Sequence, residues 1–272
     1  MISLQGLTIG DAAHPDHFQL GPLDIELGAG QWLTILGGNG AGKSLLAQLL
    51  AGGWSQLHLD TLAGTGIILG TAHDGGQLNE QAAQRQWVQQ SPYLQFSGCC
   101  FSVVDEVAFG PANLALPMAE VRRRVADAMA CCHCEELATQ HPLSLSGGQA
   151  QRVVLACALA MQPKLLILDQ AFSRLTPEAS HTLLRQIRHY SELSGCSVIL
   201  LEQRLFPAAH YCEQFVLLDH GRQLASGDLS KVLPHLPGRV ILPDSLCEAL
   251  LARDPHHHPY PLAILREFYA EL

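Results

Sequence analysis

The eight residues Gly37-Gly38-Asn39-Gly40-Ala41-Gly42-Lys43-Ser44 have the spacing G-x-x-x-x-G-K-S, which suits the wrapping of a polyphosphate. The glycines let successive backbone N–H groups turn inward on the phosphates, and the start of a following helix adds positive potential. Lys43 is expected to bridge the β- and γ-phosphates, and the Ser44 hydroxyl to bind Mg²⁺. A second group is Leu165-Leu166-Ile167-Leu168-Asp169. An apolar run ending in a carboxylate is what a buried central strand would use to bring Asp169 to the Mg²⁺ shell. The two groups together specify a nucleoside triphosphatase site. Between them lies a third group, Leu145-Ser146-Gly147-Gly148-Gln149, which contributes a hydroxyl and two glycines.

Elements able to position these groups are legible in the pattern. Short apolar runs bounded by turn residues predict strands at 23–27, 32–36, 66–69, 165–168, 198–201 and 215–218. A helical face of Leu46, Leu49 and Leu50 follows the glycine-rich loop, and 177–193 reads as a helix that opens on Pro177 and closes before Gly195. Strands alternating with helices imply an α/β core with a mostly parallel sheet. The stretch 91–159 has helical periods at 103–109 and 118–129 without a convincing strand, and reads as a helical subdomain inserted into that core. Beyond Gly227 the chain turns Pro-rich, with one short amphipathic helix expected at 245–251.

Composition narrows the function classes. With 272 residues, 48% of them hydrophobic, the chain can bury a sizeable core as one large domain or two lobes. A formal charge of -9 argues against a nucleic-acid surface, which needs a basic patch. No apolar run approaches the ~18 to 20 residues of a membrane span, and the N-terminus lacks the basic start of a secretory signal. Nine scattered cysteines suit reduced thiols. Cys131-Cys132-His133-Cys134 lacks the second spaced pair that would close a tetrahedron around zinc, so buried helix thiols are the expectation there. His256-His257-His258 reads as an exposed loop between Pro255 and Pro259.

The phosphate loop combined with LSGGQ resembles the nucleotide-binding subunits of ABC transporters, from about residue 2 to residue 230. The resemblance implies a RecA-like P-loop core with a mostly parallel sheet, an N-terminal antiparallel β subdomain and the inserted helical subdomain at about 91–159. All would lie within an ATP-binding domain of residues 1–230, followed by a short extension, 231–272. It also implies ATP and Mg²⁺ as ligands. The Q-loop pattern V-x-Q-x-P is matched by Val88-Gln89-Gln90-Ser91-Pro92, making Gln90 the glutamine that contacts Mg²⁺ and couples to the membrane. Ser146, Gly147, Gly148 and Gln149 of the signature would meet the γ-phosphate of an ATP held by another subunit. The run Val104-Asp105-Glu106-Val107-Ala108-Phe109-Gly110-Pro111-Ala112-Asn113-Leu114 is similar to the DVAFGPENL segment of energy-coupling-factor transporters, importers of vitamins and of cobalt or nickel ions. There, the region 93–113 would face the coupling helices of a transmembrane component.

Three positions depart from the family pattern. Gln170 stands where the catalytic glutamate is expected, Gln203 replaces the switch histidine in Glu202-Gln203-Arg204-Leu205, and the D-loop Ser173-Arg174-Leu175-Thr176 lacks its carboxylate. An amide can orient water but has no usable basicity, and a general base is typically worth ~10² to 10⁴ in rate. The expectation is slow hydrolysis at this chain's own site, with Gln170, Gln203 and Gln90 as the residues around the attacked phosphate. The paired logic favours a heterodimer, over a homodimer, with a second ABC ATPase subunit. That dimer would be peripheral on the cytoplasmic face of a membrane and docked on transmembrane components. The alternatives are a non-transport ABC ATPase or an ATP-binding regulatory subunit without turnover. No aromatic occupies the usual base-stacking position around Thr8-Ile9-Gly10-Asp11, which leaves His17, Phe18 or family likeness alone to account for the adenine.

Overall fold

A computed structural model describes residues 2–10, 18–53, 61–72, 83–243 and 246. The chain begins with β1 (Ile2–Gly10), β2 (Leu20–Leu27), β3 (Trp32–Leu36), α1 (Lys43–Ala51), β4 (Thr61–Ile68), β5 (Thr71–Ala72) and β6 (Arg85–Val88). Three helices then follow without an intervening strand: α2 (Val103–Ala112), α3 (Met118–Cys131) and α4 (Gly147–Ala160). The core resumes with β7 (Leu165–Asp169), α5 (Pro177–Ser194), β8 (Ser197–Glu202), β9 (Gln214–Asp219), β10 (Arg222–Gly227) and the single turn α6 (Leu229–Val232). The expected helix at 245–251, apart from Leu246, lies outside the described residues, as do His17 and His256-His257-His258.

Two sheets carry the architecture. The larger has the order β10-β9-β3-β8-β7-β6 and is parallel except for β10, which pairs antiparallel with β9. The smaller, β2-β1-β4-β5, is antiparallel throughout. This is the α/β arrangement with a mostly parallel sheet and an N-terminal antiparallel sheet that the sequence implies.

Period-2 alternation along buried strands separates two cores. Leu33, Ile35, Leu165, Ile167, Ile199, Leu201, Val216 and Leu218 face α1 and the antiparallel sheet. Their neighbours Leu36, Leu166, Leu168, Val198, Leu200, Phe215 and Leu217 share a core with the helical region and α5. Because both faces of the parallel sheet are covered, its strands read as continuous apolar runs, and the polar residues that matter are pushed to the strand ends. Leu233, Leu236, Val240 and Leu246 are buried in the second of these cores, so the described residues beyond 230 contribute to it. Among the thiols, Cys132 and Cys134 are buried, and Cys131 is partly so. No helix among the described residues is long and apolar enough to cross a membrane.

Candidate nucleotide site

The phosphate loop runs from the end of β3 into α1. Gly40 and Gly42 have φ of 75° and 97°, a region favouring glycine, and Gly42 caps α1 with no side-chain hydrogen bond. The first turn of α1 has no acidic residue, so the positive end of the helix is not neutralised locally. Gly37 is required by space, since a Cβ there would lie 2.6 Å from the Leu218 carbonyl oxygen and 2.9 Å from the Ala41 Cβ. Lys43 curls over this loop, and its Nζ donates to the carbonyls of Gly37 and Gly38 at 2.7 Å each. Burial pushes the Lys43 ammonium down, opposed by the charges of Asp169 and Glu202. The lysine is therefore held in the loop with carboxylates at its back.

Parallel pairing brings the ends of β7 and β8 beside the loop. Asp169 pairs with Leu201, and Glu202 with Leu36. Asp169 is buried with one oxygen, Oδ1, lacking a hydrogen-bond partner. Burial pushes its carboxyl up, while hydrogen bonding from Ser44 and the charge of Lys43 oppose the shift. An orphaned buried carboxylate oxygen beside a hydroxyl is an all-oxygen donor set suited to Mg²⁺. Glu202 is a residue the sequence reading missed. Burial first, then the charge of Asp169, drive its carboxyl up to about 8, against Lys43 and Arg204. The signal was available, because 198–202 is, like 165–169, an apolar run ending in a carboxylate.

The three glutamines fall in different settings. Gln170 follows Asp169 at φ 50°, with its N–H donating to the Leu201 carbonyl at 2.9 Å. A non-glycine residue in that region is uncommon and concentrates at functional sites. Gln203 donates from Nε2 to Asn39 Oδ1, which joins the switch position to the phosphate loop. The side chain of Gln90 is exposed, and no hydrogen bond links it to Ser44 or Asp169 among the described residues. Its carbonyl accepts from Arg174 Nε at 3.2 Å, and the neighbouring Gln89 carbonyl accepts from Gln151 Nε2 at 3.3 Å. The Q-loop backbone is thus anchored to the D-loop and to α4, contacts far apart in sequence.

The signature starts α4. Ser146 is the N-cap, and a reciprocal capping box joins it to Gln149: Ser146 N–H donates to Gln149 Oε1 at 2.9 Å, and Gln149 N–H to Ser146 Oγ at 3.4 Å. Gln149 is therefore occupied in shaping the turn, while Gly148 faces a cleft. That cleft, of about 550 Å³, is lined by Ser146, Gly148, Gln149, Arg152, Arg174 and Glu178 among others, and by no residue of the phosphate loop. Thr176 of the D-loop caps α5, accepting from the Ala179 N–H at 3.3 Å. The threonine supplies a neutral N-cap oxygen there.

Phe18 is half exposed, and its ring edge lies 3.0 Å from where a Cβ would stand on Gly42. It sits beside the phosphate loop and α1 and is not core. On the helical region Leu94, Phe101 and Leu143 are 81%, 82% and 64% exposed, with Phe101 against the His141 ring at 6.1 Å. Nearby, the Tyr93 hydroxyl donates to the Leu145 carbonyl at 2.7 Å, tying this surface to the signature.

Comparison with known proteins fits this geometry. A sequence profile described as ABC transporter matches residues 20–173. The chain is 36% identical over 233 residues to a putative ABC transporter ATP-binding protein of Methanosarcina mazei, spanning 83% of this chain and 80% of that protein. It is 35% identical over 229 residues to the energy-coupling factor transporter ATP-binding protein EcfA1 of Lactobacillus delbrueckii subsp. bulgaricus, spanning 84% and 78% respectively. Among solved structures, cbiO1 of Clostridium perfringens, part of the ABC transporter complex cbiONQ, is similar with a TM-score of 0.73. It is 27% identical and covers 84% of this chain and 88% of that one.

Proposed function

The chain belongs to the ABC transporter ATP-binding family, and on that premise we propose that it is an ATP-binding subunit of an energy-coupling-factor-type importer for a vitamin or a transition-metal ion. The family couples ATP hydrolysis to transport. In this chain the loop Gly37 to Ser44 holds the triphosphate, with Lys43 leaving the loop carbonyls for the β- and γ-phosphates, and Phe18 offers its exposed ring to the base. Ser44 and Asp169 would hold Mg²⁺, which when bound neutralises charge on the phosphates, and Gln90 would reach the same ion. Gln203 contacts the γ-phosphate. Gln170 orients water but takes no proton, so turnover at this site is slow.

One observation carries the reading. The signature is intact and capped, with Ser146 exposed and Gly147 to Gln149 partly exposed, on an element that no hydrogen bond joins to the chain's own phosphate loop among the described residues. A signature so placed serves an ATP brought by a second subunit, and a heterodimer with a competent partner gives both halves a use. The exposed face around Leu94, Phe101 and Leu143 docks transmembrane components on the cytoplasmic side, and Tyr93 relays that contact to Leu145. Phosphate release by the chain alone and with a second ATPase subunit tests this. Appreciable turnover by the chain alone would sink the assignment of a slow site, and failure to co-purify with membrane subunits would sink the transport assignment.

A further inference from the structure

The chain returns to the nucleotide site after its last sheet pairing. Beyond α6 and the helical turn Leu233–His235, the segment is rooted by buried Leu236 and Val240 and runs beside the switch position. Ile241 N–H donates to the Gln203 carbonyl at 2.8 Å, and Leu205 N–H donates to the Ile241 carbonyl at 3.2 Å, forming a parallel bridge between Arg204 and Ile241. Arg239 secures the approach: its Nε donates to Asp219 Oδ2 at 2.9 Å, and its Nη1 to the His235 carbonyl at 3.3 Å. The Arg239 carbonyl oxygen lies only 3.2 Å from where a Cβ would stand on Gly38. Gln203 is therefore gripped twice, by Ile241 through its main chain and by Asn39 through its side chain.

We propose that residues 239–241 are a positioning element of the ATP site, holding the main chain of Gln203 so that its amide stays over the phosphate loop. The proposal rests on the reading of Gln203 as a γ-phosphate contact. An amide carries no charge with which to draw itself to a phosphate, so its contact depends on being placed beforehand. A free switch loop would lose backbone entropy each time ATP ordered it, whereas a loop already paired with Ile241 does not. The segment lies more than thirty residues after the switch in sequence, so its role is visible only in the folded chain.

The readout is the preference of the full-length chain for ATP over ADP, because only ATP has the γ-phosphate. Affinities for both nucleotides are measured by equilibrium titration with Mg²⁺, alongside thermal midpoints. Ile241→Pro removes the N–H that Gln203 accepts and is expected to lower the ATP preference about tenfold, the size of one charge-assisted hydrogen bond, with ADP affinity unchanged. Gln203→Ala should lose as much, and the double variant no more than either alone. Ile241→Ala, which keeps the N–H, should restore the preference. If Ile241→Pro does not fold, Arg239→Ala loosens the same segment and should shift the preference about threefold in the same direction. The proposal is overturned if Ile241→Pro and Arg239→Ala keep the ATP preference while Gln203→Ala loses it, or if ATP and ADP affinities fall together in Ile241→Pro. A Gln203→Ala variant that leaves the preference intact overturns both the proposal and the switch reading beneath it.

Discussion

Replacing Gln170 with glutamate changes an amide to a carboxylate at nearly constant shape, so the φ of 50° and the N–H bond to Leu201 are retained. The site that receives the charge is already crowded. Asp169 precedes it and Glu202 stands on the adjacent strand, both with carboxyls raised by burial, and Lys43 is the facing cation. The charge of Asp169 raises the new carboxyl above its ordinary range, toward the operating pH at which a general base is best matched. A positioned base is worth ~10² to 10⁴ in rate, or about 3 to 5 kcal/mol of barrier. Part of that is offset by repulsion, which places the expected gain near 10²-fold at the lower end of the range. Crowding of order 1 kcal/mol should also lower the thermal midpoint by roughly 2 to 4 °C. The assay is phosphate release by the complex, with the partner's own phosphate-loop lysine replaced so that only this chain's site turns over. Unchanged release by Gln170→Glu, with ATP bound and the fold intact, would refute the claim that the amide limits hydrolysis here.

Changing Leu94, Phe101 and Leu143 together to serine removes the three most exposed large apolar side chains of the helical region without touching the core; recovery of membrane subunits in co-purification should fall at least tenfold while ATP affinity stays within about twofold. Equal recovery would place the docking surface elsewhere. Glu202 gives a pH signature. Its folded pKa of about 8 lies above the ordinary 4.5, so the folded state binds more protons between those values, and the stability it contributes is lost as pH rises through that window. The slope is at most about 1.4 kcal/mol per pH unit. Thermal midpoints of the nucleotide-free chain from pH 5 to 8.5 should decline with a slope that Glu202→Gln flattens, and parallel curves would remove Glu202 as the cause.

Legibility in the sequence followed local pattern. The strands buried on both faces were plain because β3, β7, β8 and β9 are continuous apolar runs, and the loop Gly37 to Ser44 carries its own spacing. β1 was hidden by its bulge: register shifts between Gln5 and Thr8, with Gly6 at φ 57°, move the buried set from Ile2 and Leu4 to Leu7 and Ile9 and break the period of two. β10 is an edge strand with polar residues, and β6 is short and carries a buried Arg85 bonded to the Ile68 carbonyl. α4 is buried almost all round, which leaves no amphipathic stripe, and its start was placed by resemblance to the signature. The pairing of Gln203 with Asn39, the tie of Arg174 to Gln90 and the bridge of Ile241 to the switch join residues distant in sequence, and no local rule announces them.

The central claim is that this chain's signature serves hydrolysis more than its own phosphate loop does. Ser146→Ala and Lys43→Ala, each assembled with the partner ATPase, separate the two by the rate of phosphate release. Ser146 also caps α4, a loss of ~1 kcal/mol, so thermal midpoints must accompany the rates. The account predicts that Ser146→Ala lowers release by the complex well below the level of Lys43→Ala, with both proteins folded. Equal losses from the two changes, or no loss from Ser146→Ala, would contradict it.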